Sequence, residues 1–289
     1  MSYWACVVAR NASSHIRATI DSLLTQSLGP KVLVVVNDGS TDATAQILGD
    51  YQQHHGNLLR ALDLPDNGYD IRRVPRNINL ACTEVGRSGV ETDFFMISGD
   101  DCSYPVRYAE SIISRMQSRP KIVVASGRPT SDASPLEGHS PSGSGRIVSS
   151  PFWHRIGGKY PVKAGWETWL LYKALESGLQ VRFFNDLVFH HARPRGAIHQ
   201  FMYWGAAMYA LGYNPLYAIG RIAKNAVRRR VSVRASLNTL RGYLQASQGS
   251  SDPFMSPFDE PLRSFVAREQ GREIPRRIGV RMKSSRETC

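Results

Sequence analysis

The segment Lys31–Thr44 constrains the fold of this chain more than any other stretch. Five apolar residues, Val32–Val36, are followed at once by Asn37, Asp38, Gly39, Ser40, Thr41 and Asp42. Such a run predicts a buried parallel strand, and the polar residues after it predict a tight turn and a helix capped by Ser40 or Thr41. Ligands of open α/β sheets bind beyond the carboxyl ends of such strands, so Asp38 is expected where a nucleotide would be recognised. A plain strand–turn–helix junction is the alternative.

A second junction of this kind lies at residues 93–105. An apolar run from Phe94 to Ile97 leads through Ser98 and Gly99 to the adjacent acids Asp100 and Asp101. Two carboxylates side by side repel each other unless a cation or hydrogen-bond donors neutralise them. Asp100 and Asp101 are therefore predicted to bind a hard divalent cation, Mn²⁺ or Mg²⁺. An exposed turn is the alternative.

Segments of strand type and helix type alternate along the first two-thirds of the chain. The patterns predict strands at 3–9, 31–36, near 70–74, 93–98, 121–126 and 180–189, and helices at 14–26, 41–53, 80–90, 105–118 and 166–177. This alternation requires a mainly parallel, doubly wound α/β sheet. The Gly-, Ser- and Pro-rich segment 127–148 is expected to be either a lid over a ligand or a passive linker.

Short motifs along this part of the chain occur in the order found in a known protein family. They are Val7–Ala12, Val36–Asp42, Arg76–Ala81, Ser98–Asp100, Arg155–Gly158, Gly165–Thr168 and Val188–Pro194. Their order and spacing resemble those of the family-2 glycosyltransferases of the GT-A fold. The resemblance implies a Rossmann-like, doubly wound mixed sheet. It also implies metal-assisted, inverting transfer of a sugar from a nucleoside diphosphate sugar to an acceptor hydroxyl.

Three positions depart from the family pattern. Asn79 stands where the family's Asn-x-Gly-x-x-Ala stretch has glycine, and a turn is expected there because asparagine tolerates positive φ. Ser98 replaces the first acid of the Asp-x-Asp motif, which concentrates the metal role on Asp100. Thr168 replaces the second member of an acidic pair near the acceptor.

The resemblance also assigns a site for the sugar donor. Its residues come from the loop after the first strand, the nucleotide-recognition turn and the later motifs: Ala9, Arg10, Asn11, Asp38, Asn77, Asp100 and Arg193. Arg193 and Arg195 are expected to hold the diphosphate, because guanidinium groups offer forked donors to phosphate oxygens. Uridine diphosphate is the expected carrier, with guanosine and thymidine diphosphate left open.

Two adjacent histidines, His190 and His191, follow the strand predicted at 180–189. Family relatives often have a histidine here, near the metal and the pyrophosphate. Both are therefore candidate metal ligands together with Asp100 and Asp101. Successive residues of a strand point to opposite faces, so the two histidines are not expected to do the same job.

Glu167 is the one acid of the motif Gly165–Thr168. Inverting members of the family need one carboxylate to take the proton of the attacking hydroxyl, so Glu167 is assigned as the catalytic base. A glutamate placed at a helix start by the helix macrodipole is the alternative. Glu176, near the far end of the same predicted helix, is a poorer candidate.

Positive charge is concentrated in the carboxyl-terminal third. Residues 193–289 carry 17 Lys and Arg against 6 Asp and Glu, so this third holds +11 of the chain's net +12. Residues 198–222 are apolar and aromatic, Pro215 is expected to interrupt any helix there, and a basic cluster follows at 224–234. This composition suits contact with an anionic membrane surface. Helices packed on the catalytic body are the alternative.

These patterns divide the chain into a GT-A catalytic domain, 1–196, and a helical, basic region, 197–289, with a linker at 247–257 and a helix within 262–286. No apolar run reaches the roughly 18 residues of a membrane span. The chain start does not resemble a signal peptide, and four scattered cysteines suggest a reducing compartment. The expected location is cytoplasmic, peripheral to the inner face of the cell membrane, and the expected acceptor is a glycan or a lipid-linked hydroxyl.

Two other classes of protein remain open. A nucleotide-sugar-binding scaffold with impaired catalysis is favoured by Ser98 and Thr168 and opposed by Asp100 and Glu167. A nucleic-acid-binding protein is suggested by the net charge of +12, but the sequence contains no recognised nucleic-acid module. We therefore expect no specific nucleic-acid partner and only weak, salt-dependent binding to DNA.

Overall fold

A mixed eight-stranded sheet is the main feature of the computed structural model, which describes residues 1–130, 141–193, 200–227 and 231–278. Its strands are β1 Tyr3–Ala9, β2 Leu33–Asn37, β3 Leu59–Asp63, β4 Phe94–Gly99, β5 Cys102–Ser103, β6 Ile122–Pro129, β7 Arg146–Ser149 and β8 Gln180–His191. They lie in the order β3-β2-β1-β4-β7-β6-β8-β5. β7 is antiparallel to both of its neighbours, and β5 is antiparallel to β8. The predicted doubly wound mixed sheet is confirmed.

The parallel half of the sheet forms because its strands are apolar on both faces. Every residue of β2 is buried, as is nearly every residue of β1 and β4. Helices α1 Ile16–Leu24, α2 Thr44–His55 and α3 Val74–Arg87 connect β1 to β2, β2 to β3 and β3 to β4, and α4 Tyr108–Gln117 packs against β6. Ala9 pairs with Asn37 and Val8 with Gly99, so β1, β2 and β4 end at the same edge of the sheet.

Three local predictions in this half are wrong. The strand expected near 70–74 is a single turn of 3₁₀ helix leading into α3, and the strand before that helix is β3. Asn79 lies inside α3 and not in a turn. Helix α2 begins after Ala43 with no side-chain cap from Ser40 or Thr41, because the Ser40 hydroxyl accepts a hydrogen bond from Asn11 N instead.

The segment 127–148 is anchored at both ends. Its first residues belong to β6 and its last to β7, which the sequence did not predict. Arg146 is 2% exposed, and its guanidinium donates to the main-chain oxygens of Ser142 and Pro141. The two ends of the segment are therefore fixed in the fold. Its middle, residues 131–140, lies outside the described residues, so the choice between a lid and a passive linker stays a prediction.

The chain divides into two compact units. The first, the sheet unit, comprises Met1–Val162 and Lys173–Arg195, and the second, the helical unit, comprises Lys163–Tyr172 and Gly196–Cys289. The remaining helices of the chain are α5 Ser150–Arg155, α6 Trp166–Glu176, α7 Gln200–Ala210, α8 Pro215–Val227, α9 Val233–Ser247 and α10 Glu260–Ile278. The division falls within α6. None of the described helices is long and apolar enough to cross a membrane.

The helical unit confirms two sequence expectations and corrects a third. Pro215 separates two helices, since α7 ends at Ala210 and Pro215 is the first residue of α8. A helix was expected within 262–286, and α10 covers the part of that range the structure describes. The linker predicted at 247–257 is wrong: α9 extends to Ser247, and a 3₁₀ turn at Pro253–Met255 buries Phe254 and Met255.

Candidate functional site

Two buried carboxylates follow strand β4 at the edge where β1 and β2 also end. The side chains of Asp100 and Asp101 are only 12% and 7% exposed. Arg193, just after β8, contacts both: its Nε lies 3.0 Å from Asp101 Oδ2, and a terminal nitrogen donates to Asp100 Oδ1. The main-chain nitrogen of Arg10 donates to Asp100 Oδ2 at 3.2 Å. The structure thus brings together three predicted site residues, Asp100, Asp101 and Arg193.

The pKa of Asp100 reflects this environment. Burial raises it from the ordinary value of 3.8 to about 6, while the charge of Arg193 lowers it and that of Asp101 raises it. Two carboxylates face one guanidinium, so a further positive charge would stabilise the ionised pair.

The two histidines have different neighbours. His191 is half-buried, with Nε2 3.8 Å from Asp101 Oδ1 and Nδ1 2.7 Å from the main-chain oxygen of Arg193. His190 is exposed, and its Nδ1 lies 3.4 Å from Thr130 Oγ1. His191 is therefore the histidine that lies beside the carboxylates.

The residues at this edge fit a divalent cation. Asp101, Cys102 and His191 hold one potential ligand atom each within 4.8 Å of one another. Burial, with the charge of Asp101, raises the pKa of the Cys102 thiol to about 12, so the thiol stays protonated and is a poor ligand for a hard cation. The carboxylates of Asp100 and Asp101 and the imidazole of His191 match the preferences of Mn²⁺ and Mg²⁺, and Arg193 would have to share or release those oxygens.

Ser98, which stands where the family pattern has the first acid, lies in the protein interior. Ser98 is 4% exposed; its hydroxyl donates to the main-chain oxygen of Gly99 and accepts from Tyr104 OH, each at 2.8 Å. The Tyr104 contact had no signal in the sequence. Cys102 was also missed as a neighbour of the site, although it directly follows the two acids.

The predicted donor residues at the end of β1 are joined to the loop after β2. The Arg10 guanidinium donates to the main-chain oxygens of Asp38 and Gly39 and, at 2.7 Å, to Asp66 Oδ1. Asn11 has a positive φ of 47°, and its Oδ1 accepts from Thr41 N at 2.8 Å. The main-chain oxygen of Ala9 accepts from Asp38 N at 2.8 Å. The Arg10 side chain thus fixes the loop at the site.

Asp38 is held by an arginine that the sequence did not point to. Arg73 Nε lies 3.0 and 3.2 Å from the two carboxylate oxygens of Asp38, and a terminal nitrogen lies 3.1 Å from Oδ2. Both side chains are less than one-fifth exposed. Gly39, which follows, has a φ of 64°, and a Cβ there would lie 2.5 Å from Asp66 Cα. This turn therefore requires glycine, and Arg73 orients the acid before it.

Asn77 is buried on α3 with an unused donor. It is 4% exposed, and its Nδ2 has no hydrogen-bond partner among the described residues. An amide nitrogen buried without an acceptor is costly, and a ligand oxygen would satisfy it. Asn79, two residues on, has both amide atoms bonded to the main chain of Tyr160, at 2.9 and 2.7 Å.

Glu167 belongs to the helical unit. It is the second residue of α6, where an acidic side chain interacts favourably with the helix dipole, and its side chain is exposed. Arg195, predicted to contact the diphosphate, lies outside the described residues.

Comparisons with known proteins agree with this architecture. The family model described as glycosyl transferase family 2 matches residues 4–179. A search of curated proteins finds no significant match. Among solved structures, the mannosyltransferase PcManGT from Pyrobaculum calidifontis, in complex with GDP-Man and Mn²⁺, is 15% identical with a TM-score of 0.56, over 96% of this chain and 86% of that one.

A second similar structure is residues 1–349 of TarS from S. aureus, in complex with UDP-GlcNAc. It is 14% identical with a TM-score of 0.57, over 85% of this chain and 81% of that one. At these identities both structures show a shared fold.

The sheet and the similar structures define a GT-A fold. Because the family model covers more than half of the chain, the chain belongs to glycosyl transferase family 2. The protein is a glycosyltransferase, and the resemblance read from its motifs is confirmed.

Proposed function

We propose that this glycosyltransferase moves a sugar, with inversion, from a nucleoside diphosphate sugar to a hydroxyl of a glycan or lipid-linked acceptor. The observation that carries the proposal is the buried cluster of Asp100, Asp101, His191 and Arg193 after β4. Uridine diphosphate is our first candidate for the carrier. The similar structures hold GDP-Man and UDP-GlcNAc, both nucleoside diphosphate sugars, which supports this class of donor.

The donor's nucleoside is assigned to the turn after β2. Asp38, oriented by Arg73, keeps carboxylate lone pairs that accept hydrogen bonds from a base or ribose. Asn77 offers its buried amide nitrogen to a ligand oxygen. Ala9, Arg10 and Asn11 shape the neighbouring loop through main-chain and side-chain contacts. These groups bind and orient the donor before any bond breaks.

The leaving diphosphate is assigned to the cluster after β4. Asp100, Asp101 and His191 would hold a divalent cation, Mn²⁺ or Mg²⁺, with Asp100 as its principal ligand. Such a cation, when bound, neutralises charge that develops on the leaving phosphate oxygens. Arg193, once it shares or releases the oxygens of the two acids, supplies a positive charge and forked donors at the same place. Asp100 has to be ionised for this role, and its pKa without a cation is about 6, so binding of the cation is expected to weaken as the pH falls below about 6.

The acceptor hydroxyl is assigned to Glu167. As general base it takes the hydroxyl proton while the oxygen attacks the anomeric carbon from the face opposite the diphosphate. One displacement then gives the inverted product without a covalent glycosyl-enzyme. Ser98 and Thr168, where the family pattern has acids, leave Asp100 and Glu167 as the acids of these two motifs.

Product release from a panel of nucleotide sugars, with and without Mn²⁺, tests the proposal. Glu167→Gln should lower turnover by about 100-fold or more with little change in the KM for the donor. Glu176→Gln is the matched control, since Glu176 lies on the same helix and pairs with Lys173 at 2.5 Å. Its turnover should stay near that of the wild type.

The same assay distinguishes an active glycosyltransferase from a nucleotide-sugar-binding scaffold with impaired catalysis. Asp100→Asn should remove the dependence on Mn²⁺ together with most of the activity. A wild-type protein that binds nucleotide sugars but releases no product with any acceptor tried would point to the scaffold. A protein that binds no nucleotide sugar would contradict both functions.

A further inference from the structure

Helix α8 carries an aliphatic face that no described residue covers. Leu216 and Val227 are 78% and 82% exposed, and Ile219 lies between them at 51%. Spacings of three and eight residues place all three on one side of a helix, together with the exposed Ala223. Ala218 is the only residue of α8 that is buried. One side of the helix is therefore aliphatic and exposed.

Helix α9 repeats this arrangement. Its buried face, which includes Ala235, Thr239, Gly242, Tyr243 and Ala246, packs on α7. On its open face Val233, Leu237 and Leu244 are 69%, 60% and 49% exposed. The exposed Arg234 and Arg241 lie beside them around the helix. We call Leu216, Ile219, Val227, Val233, Leu237 and Leu244 the aliphatic set.

The stretch of sequence that carries the aliphatic set contains no acid. Residues 187–251 hold nine Lys and Arg and not one Asp or Glu. Lys224 is exposed on α8, as Arg234 and Arg241 are on α9. This surface combines aliphatic side chains with positive charges. It is therefore complementary to a partner that is apolar inside and anionic at its boundary.

We propose that α8 and α9 lie in the interface of an anionic lipid bilayer, with the aliphatic set among the acyl chains and Lys224, Arg234 and Arg241 at the headgroups. A second copy of this chain fits less well, because it would bring the same cations together without an acid to pair with them. Nucleic acid also fits less well, because its recognition uses aromatic stacking and hydrogen bonds, not aliphatic side chains.

The proposed surface keeps Leu216, Ile219, Lys224 and Arg234 of the surface suggested by the sequence but leaves out α7. The apolar segment 198–222 begins with α7, whose Phe201, Ala206 and Ala210 are buried. Gly205 of α7 lies so close to α9 that an added Cβ would overlap the main chain of Thr239. Helix α7 is thus a packing element, and the membrane-facing side chains lie on the next two helices. Contact with a membrane determines where the enzyme is held, which is separate from sugar transfer.

Flotation with vesicles tests the proposal on the full chain without donor. The wild type should float with phosphatidylcholine vesicles that contain phosphatidylglycerol, and poorly with phosphatidylcholine alone. Two neutral double variants remove aliphatic contact: Leu216→Gln/Ile219→Gln on α8 and Leu237→Gln/Leu244→Gln on α9. Each should lower the partition coefficient by about tenfold or more. Glutamine keeps the helix propensity of these positions and adds no charge.

Separate variants test the charge and the specificity. Arg234→Gln/Arg241→Gln should lower binding to the anionic vesicles by roughly tenfold and leave binding to phosphatidylcholine unchanged. Val106→Gln/Tyr69→Gln is the matched control, since both residues are exposed in the sheet unit, at 56% and 60%. Circular dichroism and thermal melts confirm that each variant is folded. Donor binding by the same samples reports on the proposed function independently.

Three outcomes would overturn the proposal. The first is a wild type that does not float with anionic vesicles. The second is a dimer in sedimentation velocity that the aliphatic variants dissociate, which would assign the surface to a second copy. The third is RNA binding that the arginine variant weakens, combined with flotation that no variant changes.

Discussion

At the scale of single residues, two asparagines on α3 differ in what their side chains contact. The Asn77 amide nitrogen is buried without a partner among the described residues, whereas both amide atoms of Asn79 bond to Tyr160. An amide that lacks a protein partner contributes little to folding and is available to a ligand. An amide that joins two segments contributes to stability.

We therefore expect opposite phenotypes from Asn77→Ala and Asn79→Ala. Asn77→Ala should weaken nucleotide-sugar binding by about tenfold or more while changing the free energy of unfolding little. Asn79→Ala should lower that free energy by about 1 to 3 kcal/mol and leave the affinity nearly unchanged. Isothermal titration and urea denaturation measure the two quantities. Equal loss of stability in both variants would contradict the ligand role of Asn77.

Asp100 is expected to limit stability at neutral pH in the presence of a chelator. Its folded-state pKa of about 6 lies above the ordinary 3.8, so its contribution to stability is greatest below that lower value and is lost as the pH rises through about 6. Asp100→Asn should then raise the free energy of unfolding by up to about 3 kcal/mol at pH 8 and by about half of that at pH 5. Thermal denaturation at both pH values measures this difference in stability.

Asp42→Asn provides the control of opposite sign. Although burial acts to raise the pKa of Asp42, hydrogen bonds from Thr44 and Ser13 lower it overall. This acid is ionised and stabilising at both pH 5 and pH 8, so its replacement should destabilise the protein equally at the two values. If Asp100→Asn raised the free energy of unfolding equally at pH 5 and pH 8, that result would argue against a buried charge at Asp100.

Sequence could predict the residues of the site that lie next to one another, but not most of their partners. Asp100 and Asp101 are predictable as neighbours at a strand end because two acids directly follow an apolar run. Arg73 was not, because its ion pair with Asp38 spans 35 positions and is created only when α3 packs against β2. A pairing of this kind has no local pattern.

At the scale of elements, the crossing of α7 and α9 depends on two glycines. A Cβ added at Gly205 would overlap Thr239 O, and one added at Gly242 would overlap Met202 O. In both cases the obstacle is main chain, which cannot rotate away as a side chain does. The two helices are therefore in contact at a separation that other residues do not permit.

Gly242→Ala should accordingly lower the free energy of unfolding by about 3 kcal/mol or more. Gly220→Ala is the matched control, because Gly220 lies within exposed α8 with nothing within 4 Å of the added Cβ. That control should leave stability unchanged or raise it by about 1 kcal/mol, the usual preference of a helix for alanine. Circular dichroism melts of the two variants give the comparison.

Elements with a strong periodic or apolar pattern were predicted correctly, and those without one were missed. Strands β1, β2 and β4 read as continuous apolar runs because both of their faces are buried. Strand β3 lies at the sheet edge with only Leu59 buried, so its pattern is weak and it was overlooked. Strand β7, four residues long and antiparallel to its neighbours, begins with an arginine that only the folded structure shows to be buried.

At the scale of the whole molecule, a net charge of +12 makes weak binding to any anion unavoidable. A screen for the donor has to separate this background from specific binding. Salt screens long-range attraction between exposed charges but acts far less on contacts within a buried site. Specific donors should therefore be those whose effect survives at elevated salt.

We expect a uridine diphosphate sugar with Mn²⁺ to raise the melting temperature more than guanosine or thymidine diphosphate sugars do. A ligand at a hundredfold excess over its Kd stabilises the folded state by about 2.7 kcal/mol, and the shift measured at elevated salt ranks the donors. Pyrophosphate with Mn²⁺ is the control, because it presents the phosphates without a nucleoside to engage Asp38 and Asn77. Asp100→Asn should abolish the further rise in melting temperature that Mn²⁺ causes. Equal shifts for pyrophosphate and every nucleotide sugar would mean that charge alone accounts for binding, and the assigned donor site would be wrong.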